Sequence, residues 1–233
     1  MKRITLILAI AASLAAAACL QKDTTSTIYL RQDGSLDWVV LEQNVRSDDT
    51  DAAKRITEET AYVDEVARGD HGVAEGFLAL GADDVRIRWL RGERPYAMMV
   101  DARFDSLAGI FERPLTKCAV PHEVRITQDG GVTTWRLWFD VGPDGEGLEG
   151  DHDEGCDAGL DGLTDALTMT IVLESGTFTA ATGFTLKGAD TAVIDEEGIE
   201  RASKTSGRIE LSLSWTSAAP SQRPLSGAPS AHD

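Results

Sequence analysis

Ten carboxylates lie between Asp140 and Asp165 with no Lys or Arg among them, threaded through a glycine-rich run. They are Asp140, Asp144, Glu146, Glu149, Asp151, Asp153, Glu154, Asp157, Asp161 and Asp165. Oxygen ligands on an adaptable backbone suit calcium, and Asp151, Asp153 and Asp157 are spaced much as the first ligands of a calcium loop are. The rest of that pattern breaks, because Gly155, Cys156 and Gly162 stand where a further ligand, the turn glycine and the closing Glu belong. Two readings stay open: a calcium site on Asp151, Asp153 and Asp157, and a solvated acidic loop, the commoner fate of a charge run. No other cofactor is indicated. His71, His122, His152 and His232 show neither of the spacings that mark a helical zinc site, although His152 beside Asp151 and Asp153 could join a metal. No nucleophile-elbow, phosphate-loop or dinucleotide fingerprint occurs either, so no catalytic residue is assigned. An enzyme assembled from distant residues stays open.

Arg86, Arg88, Arg91, Arg94 and Arg103 form the one basic cluster of an acidic chain. Arg86, Arg88 and Arg103 would share the outer face of a hairpin. There they would make either an anion or partner patch, or ion pairs with Asp83, Asp84, Glu93 and Asp101. Five tryptophans fall on expected strands. Trp135 and Trp138 differ in parity, so they cannot share a side of one regular strand, and the outward one is the first place to look for a binding surface.

The elements that would position these residues are mostly hairpins. Ile28–Leu30, Asp33-Gly34 and Leu36–Leu41 make the first, since Asp-Gly between apolar runs favours a tight turn. A helix follows, capped by Asp48, Asp49 or Thr50 and stopped by Gly69. Its expected core face is Ala53, Ile56, Thr60, Val63 and Ala67, with Glu58, Glu59, Asp64 and Glu65 in solvent. A shorter helical piece, Val73 to Leu80, carries Phe77 and Leu80 inward. A second hairpin turns at Gly92-Glu93 and pairs Trp89 with Tyr96, Ile87 with Met98 and Val85 with Val100. Val124–Thr127 turns through Asp129-Gly130-Gly131 into Trp135–Val141. Met169–Leu173 turns at Ser175-Gly176 to pair Leu173 with Phe178 and Ile171 with Ala180. Arg208–Trp215 closes the set with Ile209, Leu211, Leu213 and Trp215 on one face. The result is an α+β fold, with antiparallel, hairpin-rich sheets packed on one main helix in two layers.

The address lies at the N-terminus. Lys2 and Arg3, an apolar stretch from Ile4 to Leu14, and Ala15–Ala18 before Cys19 compose a secretory signal, too short to span a membrane. The run Leu14-Ala15-Ala16-Ala17-Ala18-Cys19 resembles the lipobox of bacterial lipoproteins. That resemblance implies cleavage before Cys19 and diacylation of Cys19 as the new N-terminus, palmitate included, with attachment to the cell envelope. Ala16 departs from the family's Leu, and cleavage after Ala18 into a soluble exported protein is the alternative. Leu20 stands where an inner-membrane retention Asp would, which points to the outer membrane, facing the periplasm or the surface.

The divisions that follow are residues 1–18 as signal peptide, 19–25 as lipidated Cys19 and tether, 26–217 as one domain, and 218–233 as a disordered tail. Export leaves Cys118 and Cys156 as a pair in an oxidising compartment, where a disulfide is the default. Net charge is −17, and losing Lys2 and Arg3 with the leader takes it to −19. Such a surface repels phosphate backbones, which argues against nucleic-acid partners, and it leaves membrane attachment to the acyl chains. The expected role is a non-catalytic binding or structural module meeting an envelope protein or small ligand. The alternative is a calcium- or ligand-dependent factor, enzymatic or not, centred on residues 140–165.

Overall fold

The computed structural model describes residues 20–140, 169–194, 198, 202 and 207–217. In chain order these carry β1 (Leu20–Leu30), β2 (Leu36–Ser47), α1 (Ala52–Arg68), α2 (Gly72–Ala79), β3 (Asp84–Arg91), β4 (Tyr96–Phe104) and α3 (Leu107–Lys117). Then come β5 (His122–Asp129), β6 (Val132–Asp140), β7 (Thr170–Leu173), β8 (Thr177–Thr182), β9 (Thr185–Leu186), β10 (Thr191–Val193) and β11 (Arg208–Thr216). They form a seven-stranded sheet, β3-β4-β2-β1-β7-β10-β9, and a four-stranded sheet, β5-β6-β11-β8. The fold is α+β, as the alternation of hairpins and helix implies. Its pairings are antiparallel except for β1 with β7, which run parallel.

One core joins both sheets. Every second residue of β2 from Leu36 to Glu42 is buried, and Trp38 packs on Phe77 of α2 at 5.0 Å between ring centroids. On the other sheet Trp135, Leu137 and Phe139 of β6 face inward with Leu211 and Leu213 of β11, and Phe111 of α3 meets Trp135 at 5.3 Å.

Several local expectations hold and several fail. The β1–β2 hairpin pairs Leu30 with Leu36 across a turn containing Gly34 at φ 86. The β5–β6 turn places Gly130 and Gly131 at φ 55 and 82, the two positive values that a two-residue hairpin loop requires. Residues 20–25, expected as a tether, are instead the first part of β1 and pair with β2. The β3–β4 register is two residues off the expected one: Trp89 pairs with Met98, Ile87 with Val100 and Val85 with Ala102. A bulge between Trp89 and Arg91 shifts the register, and the turn runs from Arg91 to Ala97 rather than through Gly92-Glu93 alone. An even shift keeps every side chain on its face, so the alternation survives.

The expected hairpin between Met169–Leu173 and Phe178–Ala180 does not form. β7 joins the seven-stranded sheet and β8 the four-stranded one, so the chain changes sheets at 174–176. A strand that changes sheets over a shared core shows the same inward apolar residues as a hairpin does, and periodicity cannot separate the two. The cap of α1 is Asp51 rather than Asp48, Asp49 or Thr50. Its buried face is Glu59, Tyr62 and Val66, while Ile56 is 67% exposed.

Candidate functional site

Two side-chain clusters could do chemistry, one buried and one open. The buried cluster centres on Glu42, which is fully enclosed on the inward face of β2. Bulges bring its partners within reach: the register of β1 slips around Lys22, and that of β2 slips after Glu42 with Asn44 at φ 55. Lys22 Nζ lies 2.7 Å from Glu42 Oε1. The Tyr62 hydroxyl of α1 donates to Oε2 at 3.0 Å, and His71 Nε2 stands 3.4 Å from the same oxygen. His71 Nδ1 accepts the Val73 amide at 3.3 Å as the N-cap of α2, so the proton of a neutral ring belongs on Nε2, facing the carboxylate.

Burial alone would push the Glu42 carboxyl upward. The hydrogen bonds from His71 and Lys22 and their charges outweigh it and hold the group at about 2. Tyr62 moves the other way: burial raises its phenol, and the adjacent Glu42 carboxylate raises it further. A second enclosed carboxylate, Glu59, accepts the Ser47 amide at 3.1 Å and Arg94 Nε at 2.7 Å. Both nitrogens of His71 are committed, and Glu42 is already shared by three donors. The cluster therefore ties β1, β2, α1 and α2 together and presents no free base to a substrate.

The open cluster lies on the outer face of the four-stranded sheet. Register sets Glu123, Trp138 and Glu210 side by side, and next to them Arg125, Arg136, Ser212 and Thr182. These residues line a groove of about 320 Å³. Trp138 is fixed at its rim, since its indole N–H donates to Glu123 Oε2 at 2.9 Å and the Arg208 guanidinium sits 3.8 Å above the ring. Arg208 in turn donates to Asp140 at 2.9 Å. The Trp138 hydrogen bond, and after it Arg125 at 2.5 Å, holds the Glu123 carboxyl below the usual carboxylate range. Arg136 and Glu210 make no ion pair among the described residues, and both are exposed. The groove thus offers one guanidinium and one carboxylate beside an aromatic wall, a setting for polar recognition.

The residues singled out from sequence scatter. Trp135 is fully buried and Trp138 faces outward, the division that strand parity requires. Arg86 pairs with Asp84, and Arg88 reaches Asp101 at 2.8 Å. Arg103 stands exposed on β4, opposite Asp37 of β2 and Asp84 of β3. Cys118 is buried at the C-terminal cap of α3. Cys19, Cys156, His152, Asp151, Asp153, Asp157 and all of the acidic run but Asp140 lie outside the described residues, and the metal and disulfide readings lie there with them. Spacing in the sequence does not bring Glu42, Tyr62 and His71 together. The available signal was Glu42 standing in phase with Leu36, Trp38 and Val40.

Among the described residues no helix is long and apolar enough to cross a membrane. Neither a protein-family model nor a curated protein matches the chain. Among solved structures the chain is similar to the folded domain of the Mycobacterium tuberculosis LppM protein. That likeness covers 87% of this chain and 93% of the other at 8% identity and a TM-score of 0.35. A likeness of that degree carries no argument about activity.

Proposed function

We propose that this chain is an envelope lipoprotein, anchored by acylated Cys19, that acts as a non-catalytic binding module through the outer face of its four-stranded sheet. The anchor rests on the residue run from Lys2 to Cys19. The observation that carries the binding role is the groove beside Trp138, where Arg136 and Glu210 are exposed and make no ion pair among the described residues. Its walls carry no histidine or cysteine, and Glu123 is held ionised by Trp138 and Arg125, unsuited to give up a proton at neutral pH. The partner chemistry this selects is polar, with a carboxylate or phosphate facing Arg136.

The test places a photo-crosslinking residue at Arg136, at Glu210 or at Arg86 of the full chain in cells. Discrete products from positions 136 and 210, absent at 86, are expected. The Trp138→Ala change should reduce them. No product at the groove, or the same products from all three positions, would remove the binding assignment. Separately, Cys19→Ser should move the protein out of the membrane fraction.

A further inference from the structure

The strand that begins at Leu20 leaves no room between anchor and fold. Consecutive Cα atoms are about 3.8 Å apart, so acyl chains on Cys19 would hold Leu20 at the headgroup surface. Leu20 pairs with Ser47, one strand spacing away at about 5 Å. Ser47 is a junction. Its amide donates to Glu59 of α1 at 3.1 Å, and its carbonyl accepts from Arg94 Nη2 at 3.3 Å. Arg94 also donates to Glu59 and belongs to the turn between β3 and β4. The start of β1, the end of β2, the first turns of α1 and the β3–β4 tip are therefore one end of the molecule.

That end carries exposed apolar side chains: Leu90 at 54%, Ile56 at 67% and Trp89 at 36%. Charges of both signs surround them: the basic Arg46, Arg91, Lys54 and Arg55, and the acidic Asp48, Asp49, Asp51, Glu58 and Glu93. Exposed apolar and aromatic side chains beside an acyl anchor are what an interfacial membrane contact uses, and here the apolar groups carry it rather than the charges. Leu78, equally apolar and 61% exposed, lies near the end of α2 that leads into the start of β3. That is the far end of a strand roughly 26 Å long.

Resting on the lipoprotein reading, we infer that the β3–β4 tip and the first turns of α1 lie on the bilayer surface, so that the anchor fixes the domain's orientation as well as its location. The occupant of the exposed Leu90 patch is lipid. The bilayer's own anionic charge adds little, because the chain as a whole is strongly acidic.

The experiment uses full-length processed protein in vesicles of phosphatidylethanolamine and phosphatidylglycerol whose acyl chains carry bromine, a contact quencher of tryptophan. Two variants, Leu90→Trp and Leu78→Trp, add a reporter at either end. Flotation with the vesicles is scored first. Emission added by Leu90→Trp should fall about twofold, as expected for a side chain seated roughly 5–10 Å into the interface. Emission added by Leu78→Trp should be unchanged. Protein that floats while neither reporter, or both equally, is quenched overturns the orientation and leaves the anchor standing. Self-association with an unquenched Leu90→Trp reporter would assign the patch to a second copy instead. A chain that does not float overturns anchor and orientation together.

Discussion

Glu42 shows what a single buried carboxylate does for this protein. Taken out of water it would be costly, and Lys22, Tyr62 and His71 together reverse that cost. Its carboxyl moves from an ordinary 4.5 to about 2 on folding. A depressed carboxyl contributes stability that is complete above the unfolded value and disappears as pH falls through the folded one. Between pH 5 and pH 2 the domain should therefore lose about 3 kcal/mol through this group alone. Denaturant titrations at stepped pH check it: Glu42→Gln should be less stable at neutral pH and should flatten the acid limb, whereas an unchanged limb would refute the assignment. The sequence concealed this residue for a physical reason. A carboxylate on an apolar stripe reads as an interruption until its partners are known, and Lys22, Tyr62 and His71 come from three other elements. Glu59 was concealed in the same way. It was expected in solvent, yet it is held by Arg94, which lies 35 residues along the chain. Trp138, by contrast, was legible, because strand parity alone separates it from Trp135.

Elements were legible where a local signal decides them. Asp33-Gly34 and Gly130-Gly131 mark their hairpins, and Gly69 ends α1 at φ 79. They were not legible where tertiary context decides. The helix α3 is hard to see in the sequence because Pro114 lies inside it, although Ser106 caps it and Leu107, Ile110, Phe111, Pro114 and Leu115 are its buried stripe. The crossing between sheets depends on Gly176. Its φ is 120, and a Cβ there would meet the Thr216 carbonyl oxygen at 2.2 Å. Gly176→Ala should thus destabilise the domain by on the order of 2–3 kcal/mol, read as a lower denaturant midpoint at unchanged slope. A substitution without effect would mean that β7 and β8 do not need this crossing geometry.

At the scale of the whole molecule, one core spans both sheets. Cys118 is buried at the end of α3, where a bridge to Cys156 would tie the acidic run to the core. Closing the loop of 38 residues between them would contribute about 3–4 kcal/mol, so reduction should lower the melting temperature by roughly 10 °C. An unchanged melting temperature, with both thiols titratable after unfolding without reductant, would exclude the bridge. The central claim is the proposed acylation of Cys19, because the proposed attachment and the proposed orientation on the membrane both depend on it. The mass of the mature N-terminal peptide from protein made in a bacterial host tests it most directly. The account predicts a chain that begins at Cys19 and carries diacylglyceryl on its sulfur. A peptide that begins at an unmodified Cys19, or at any other residue, would contradict it.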